Sequence, residues 1–300
     1  MTDAFLEKRC GTVALVGRPN VGKSTLLNHL VGQKVSITSR KPQTTRQRLQ
    51  GIKTVGHAQI IFVDTPGYHL GFKKVLNRQM NKTITNTVAD VSLILFMVDR
   101  LWFNEEDEHL LENIARTASP VFLVINKIDE FENKELLLPF IDLARTKYAF
   151  AEVVPLSALK QQNTSALEST IVRYLPVNDW IYPEDQLTDR NSRYLAAEFV
   201  REKITRQMGD ELPYEVAVEI EEFKMTGGIY HISALILVER DGQKTMLIGE
   251  SGSRLKLIGT EARKDMERLF DCKVMLKLWV KVKSGWSDDE RALRSLGFDC

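Results

Sequence analysis

The segment Gly17-Arg18-Pro19-Asn20-Val21-Gly22-Lys23-Ser24 constrains this chain more than any other, because it fits G-x-x-x-x-G-K-[ST]. The pattern demands a strand before it and a helix after it. Its glycines let backbone N–H groups converge on one point, and the helix that follows adds its positive N-terminus. Such a loop holds a run of phosphates. Lys23 can reach the β- and γ-phosphates, the Ser24 hydroxyl suits Mg2+, and Thr25 is counted with the loop among the nucleotide-binding residues. The flanks agree: residues 12–16 are a short apolar run, and Leu26, Leu27 and Leu30 share one side of a helix.

Further along, apolar runs alternate with helical patterns. Residues 59–63 end at Asp64. Residues 91–98, apart from Ser92, and 121–125 are apolar throughout, as in strands buried on both faces of a parallel sheet. Between them, Asn104 with Asp107 can cap a helix carrying Leu110, Leu111 and Ile114. Residues 152–155 form a last strand, and Leu167, Ile171 and Leu175 mark a closing helix. The expectation for residues 1–175 is an α/β domain with a mostly parallel, doubly wound sheet. Residues 176–190 are polar, contain two prolines and read as a linker.

From 191 to 300 the pattern becomes α+β. A helix carrying Leu195, Phe199, Val200 and Ile204 precedes strands at 216–220 and 231–238. Asp241-Gly242 predicts a hairpin turn and 245–248 a third strand. Leu255, Ile258, Ala262, Met266 and Leu269 give a helical stripe. In 274–282 one face is apolar and the other carries Met275, Lys277, Trp279 and Lys281. A final helix is expected at about 288–296.

Net charge is +1 over 300 residues, so distribution is what informs. Residues 34–53 hold six Lys/Arg and no acid, residues 254–283 nine bases against four acids, and residues 210–222 six acids and no base. Cys10, Cys272 and Cys300 lack C-x-x-C spacing, which argues against zinc or a disulfide framework and for a reducing cytosol. The start lacks a signal-peptide pattern, and the longest apolar run is far short of a membrane span.

Three further motifs complete a nucleotide site. Asp64-Thr65-Pro66-Gly67 ends a strand, placing a carboxylate to hold Mg2+ through water and a Gly67 N–H to approach the γ-phosphate without a Cβ. Asn126-Lys127-Ile128-Asp129 selects the base. The Asp129 carboxylate can accept from guanine N1–H and the 2-amino group, where adenine has no donor. Asn126 can bond the base edge and the Lys127 stem can cover its face. Ser157-Ala158-Leu159 can offer a backbone N–H to guanine O6. A second glycine loop, Ile248-Gly249-Glu250-Ser251-Gly252-Ser253, is followed by a helix bearing Arg254 and Lys256 and then by the strand with Lys277, Trp279 and Lys281. Its form fits a nucleic-acid backbone.

In order and spacing the nucleotide motifs resemble the translation-factor-related class of P-loop GTPases. The second loop resembles the G-x-x-G loop of type II KH domains, which clamp about four nucleotides of single-stranded nucleic acid. Together with Lys41-Pro42-Gln43-Thr44-Thr45-Arg46, Asp210-Glu211-Leu212-Pro213-Tyr214 and Lys281-Val282-Lys283-Ser284-Gly285-Trp286, the whole chain resembles the Era-like family of bacterial GTPases. The resemblance implies GTP and GDP as ligands, Mg2+ held by Ser24, Thr45 and Asp64, and a GTPase with Lys23, Asn20, Thr45 and Gly67 in its catalytic machinery. Thr44 is the rival to Thr45. It also implies a monomer that binds the 3′ region of 16S ribosomal RNA and assists maturation of the small (30S) subunit. The expected location is cytoplasmic, with peripheral association with the inner membrane. An RNA-binding adaptor whose GTPase domain is mainly regulatory is the alternative.

The chain departs from pattern in the nucleotide site and in the second glycine loop. Tyr68 stands where Ras-like enzymes have a water-orienting Gln. Asn20 matches the position that coordinates K+ in potassium-activated GTPases, or else merely shapes the loop. Glu250 and Ser251 stand where KH loops carry Lys or Arg, and a carboxylate beside phosphate weakens a backbone contact. Coupling between the sites would follow if segment 34–53 moved with nucleotide state and met the acidic stretch 210–222.

Overall fold

A computed structural model describes residues 7–39, 41, 44–68, 75–208 and 216–286, with 75–79 described by backbone alone. The helix expected at 288–296, the motif 210–214, and Arg40, Pro42, Gln43 and Cys300 lie outside the described residues. The chain divides into two compact units. One comprises Met1–Ser36, Thr45–Phe72 and Met80–Asp189, the other Ile37–Thr44, Lys73–Gln79 and Arg190–Cys300.

The first part of the chain runs β1 (Arg9–Val16), α1 (Lys23–Val31), β2 (Leu49–Val55), β3 (Ala58–Asp64), α2 (Val75–Ala89), β4 (Leu93–Val98), α3 (Glu105–Ile114), β5 (Val121–Ile125), α4 (Leu137–Lys147), β6 (Glu152–Pro155) and α5 (Thr164–Tyr174). The sheet order is β2-β3-β1-β4-β5-β6. β2 pairs antiparallel with β3, and every other pair is parallel. β4 and β5 are buried along their whole length, which is why their sequences are unbroken apolar runs. Each fully buried Leu, Ile or Phe there contributes about 1.5–3 kcal/mol. Asn104 accepts from the Asp107 N–H and Asp107 returns the bond, giving α3 the capping box its sequence predicts. A parallel, doubly wound sheet brings the loops after β1, β3, β4, β5 and β6 to one carboxyl edge, where such folds bind ligands.

The stretch 176–189 is not a free tether. The Ile181 and Tyr182 N–H groups both donate to buried Gln59 Oε1, at 2.9 and 3.0 Å. Along β2, the Ile52 N–H donates to Leu187 O at 2.8 Å and the Gln50 N–H to Asp189 Oδ1 at 2.9 Å.

The second unit holds α6 (Ser192–Gln207), β7 (Val216–Thr226), β8 (Ile229–Val238), α7 (Asp241–Ile248), α8 (Ser253–Phe270) and β9 (Lys273–Val282). The strand expected at 245–248 is instead the end of α7, and Asp241-Gly242 opens that helix rather than turning a hairpin. The pairing explains the difference. β8 runs antiparallel to β7 but parallel to β9. A parallel neighbour needs a crossover, and α7 with α8 supplies it where a hairpin could not. Phe199, Ile236, Ile258, Ala262 and Met266 form the core, with Leu276, Leu278, Val280 and Val282 of β9 packed against it. Residues 37–44 belong to this unit: Ile37 enters its core, and the Thr38 N–H donates to the fully buried Glu202 Oε1 at 2.8 Å. Arg206 donates to Thr38 O at 2.9 Å and Arg201 to Thr44 O at 2.5 Å. Residues 37–44 of the basic segment thus engage α6, while Asp210, Glu211 and Glu215 of the acidic stretch lie outside the described residues.

Candidate functional site

Between β1 and α1 the loop curls around the Lys23 ammonium, which donates to Gly17 O at 2.9 Å and Arg18 O at 2.8 Å. Burial strips water from this group and lowers its pKa to about 8, against the raising effect of Asp64. Pro19, Asn20 and Val21 form the crown of the loop; Asn20 is exposed and left-handed, at φ 65°.

Asp64 is fully buried at the end of β3. Its Oδ2 receives Ser24 Oγ at 2.7 Å, Ser36 Oγ at 2.8 Å and Thr45 Oγ1 at 3.4 Å, and Ser24 and Thr45 hydroxyls lie 2.9 Å apart. Its Oδ1 is buried with no hydrogen-bond partner. Burial raises the Asp64 pKa against the lowering influence of Ser24 and Lys23. Thr44 is elsewhere, donating to Lys41 O at 2.7 Å, so the geometry favours Thr45 over its rival. Ser36 is a member sequence reading missed. One carboxylate with three hydroxyls and an orphaned buried oxygen fits Mg2+, which takes few protein oxygens and completes its shell with phosphate and water. Among the described residues no group of three or more His, Cys, Asp or Glu side chains is placed to hold a metal ion.

Thr65 donates to Leu15 O, and beyond Pro66 a Cβ on Gly67 would meet the Pro19 backbone at 2.7 Å. Only glycine lets these two loops approach so closely. Tyr68 points into the core: it is 5% exposed, packs near Ile84, Val88 and Phe96, and its hydroxyl lies 2.6 Å from His109 Nδ1. A ring held there does not orient water over a phosphate chain.

On the base side, Asp129 Oδ1 is buried and unpartnered. An acceptor kept dry without a donor costs about 1–3 kcal/mol, which two guanine N–H donors would offset. Asn126 braces three loops: its Nδ2 donates to Val21 O at 2.7 Å and its Oδ1 accepts the Ala158 N–H at 2.9 Å. Of the backbone N–H groups of Ser157-Ala158-Leu159, that of Ser157 donates to Gln162 O at 3.2 Å. Ser157 Oγ accepts the Lys160 N–H, and Leu159 is 70% exposed. A cavity of about 330 Å3 opens here, lined by Thr25, Asn28, His29, Lys34, Ala158 and Leu159.

At the second loop, Ile248 ends α7 and three of the next four residues are left-handed: Gly249 at φ 71°, Ser251 at 49° and Gly252 at 77°. A Cβ on Gly252 would meet nothing within 4 Å, so the backbone there is bare. Glu250, Ser253 and Lys256 are exposed, whereas Arg254 donates to Met246 O at 2.6 Å and pins α8 to α7. Lys277, Trp279 and Lys281 are exposed on β9, but its alternate residues pack in the core beneath α8. Alternation puts the three on the sheet face turned away from α8. The residues expected to bind RNA therefore do not form one surface.

These features define a P-loop GTPase joined to a type II KH module. The 50S ribosome-binding GTPase family model matches residues 12–127 and the KH domain model residues 211–287. GTPase Era of Marinobacter nauticus is 60% identical over 291 residues, covering 97% of this chain and 95% of that protein. GTPase Era of Pseudomonas fluorescens is 59% identical over 290 residues, 97% of each. A crystal structure of Era in complex with MgGDPNP and nucleotides 1506-1542 of 16S ribosomal RNA is 41% identical, with TM-score 0.93 over 98% of this chain and 100% of that one. An Aquifex aeolicus Era variant bound to GDP.AlF4- has the same TM-score and identity. The chain belongs to the GTPase Era family and is a GTPase. No described helix is long and apolar enough to cross a membrane.

Proposed function

We propose that this chain is a GTP-driven switch that binds the 3′ region of 16S ribosomal RNA through its KH unit and assists maturation of the small subunit. The observation that carries this is the likeness, over 98% of the chain, to an Era bound at once to MgGDPNP and to that RNA. The chain's own geometry supports the assignment of parts. Ser24, Thr45 and Asp64 would hold Mg2+, which would supply positive charge against that developing on the phosphates. Lys23 leaves the loop carbonyls for the phosphates, Gly67 presents its N–H to the γ-phosphate, and Asp129 reads guanine. With Tyr68 withdrawn, the exposed Asn20 beside the phosphates is the group suited to hold K+. The bare Gly249–Gly252 backbone is the RNA clamp.

The test is the affinity of the full chain for a fluorescent oligonucleotide of the 16S 3′ end, with GDPNP and Mg2+, with GDP, and without nucleotide. Tighter binding with GDPNP is expected, and a coupling of ~1–3 kcal/mol must then appear equally in nucleotide affinity. Equal RNA affinity in all three states would refute the switch.

A further inference from the structure

The sheet order places β4 between β1 and β5. The residue just past β4 therefore neighbours both the phosphate loop that follows β1 and the base-reading loop that follows β5. That residue is Asp99. Its Oδ1 accepts from Arg18 Nη2 at 3.0 Å and its Oδ2 from Lys127 Nζ at 2.7 Å. Arg18 is held from behind: its Nε lies 2.9 Å from both carboxylate oxygens of the fully buried Asp107, which is fixed in turn by the cap of α3. Two of the four charges are nearly dry, with Arg18 8% and Asp107 0% exposed.

Lys127 has a reason to need an anchor. Its backbone is left-handed, at φ 62°, a conformation disfavoured for a residue with a Cβ. Its stem of four methylenes is flexible, and a mobile stem makes a poor lid for a ring. Asp99 removes that freedom by seizing the ammonium.

We propose that Asp99 is a positioning residue for the nucleotide: it clamps Lys127 flat along the purine face, and Arg18 fixes Asp99 relative to the phosphate loop. The inference rests on the base-covering role given to Lys127 above. A contact with the ring face is blind to exocyclic groups. Asp99 therefore sets purine affinity and residence time, while Asp129 sets the choice of guanine.

The experiment measures Kd and dissociation rate of GDP and IDP, which lacks the 2-amino group, on the purified full chain. Asp99→Asn is expected to weaken both about tenfold, through faster dissociation, leaving the GDP/IDP ratio unchanged. Lys127→Met keeps an apolar stem but frees it from Asp99, and should reproduce that loss if Asp99→Asn compromises folding. In a Lys127→Ala background, Asp99→Asn should cost nothing more. Wild-type affinity in Asp99→Asn or Lys127→Met, or losses that multiply in the double variant, would overturn the clamp. Wild-type affinity in Lys127→Ala would overturn the base-covering role itself, and the clamp with it.

Discussion

Raising the pH from about 7 to about 8.5 should weaken GDP binding roughly fourfold, because the empty site holds Lys23 partly uncharged. Burial lowers its pKa from 10.5 to about 8. When phosphates replace the Gly17 and Arg18 carbonyls around the ammonium, the charged form is favoured again, so binding takes up a proton wherever Lys23 has lost one. With the free pKa near 8, about a tenth of the empty protein is deprotonated at pH 7 and about three quarters at pH 8.5, which gives the fourfold change. Calorimetry at pH 8 in two buffers of different ionisation enthalpy should register uptake of about half a proton per GDP. Working in EDTA keeps Mg2+ from adding its own linkage at Asp64. Lys23→Arg, which does not titrate, should lose the proton uptake. Absence of uptake in the native chain, or uptake that survives in Lys23→Arg, would refute the reasoning. The same shift acts on folding. The unfolded chain binds more protons than the empty folded one between pH about 8 and 10.5, so Lys23's contribution to stability rises with pH across that window and is flat below it.

Asp129→Asn should lose about 3 kcal/mol of GTP affinity and gain binding of xanthosine triphosphate, whose 2-oxo group meets the new amide donor; competition binding checks both. GTP hydrolysis should be faster in K+ than in Na+ at equal ionic strength. Asn20→Gly should erase that difference, and glycine is the better probe than alanine because the φ of 65° would strain a Cβ. Gly252→Asp should abolish binding of the 16S 3′ oligonucleotide at a folding cost of only about 1–2 kcal/mol from backbone strain, since its Cβ meets no protein atom. Retained GDP binding would show that the variant is folded.

What the sequence disclosed depended on where each signal is stored. β4 and β5 were legible because burial on both faces writes an unbroken apolar run. β2, an edge strand reading L-Q-G-I-K-T-V, writes no such run, and α4 is obscured by Pro139 in its first turn and by exposed Leu138 and Leu143. α7 is hidden in the sequence because eight residues cannot show a helical period and T-M-L-I has the composition of a strand. In the site, Lys23, Ser24, Asp64 and Asp129 stood in motifs. Ser36, Asp99, Asp107 and His109 did not, because their partners come from distant segments that only the sheet order brings near. Thr44 and Thr45 are alike in sequence and differ only in their partners, Lys41 O for Thr44 and Ser24 with Asp64 for Thr45.

The bonding of residues 181–189 along β2 and β3 changes where the GTPase unit can be cut. β2 is an edge, and an edge strand with bare N–H groups recruits other edges. Here the backbone of Leu187 and the carboxylate of Asp189 occupy those donors, and Gln59, wholly buried, is satisfied by Ile181 and Tyr182. A fragment ending at 175, where the sheet pattern stops, would expose the β2 edge and leave a buried amide half-satisfied. A fragment ending at 189 would keep both sealed. The tail that reads as a connector is part of what keeps this sheet from adding strands of another molecule.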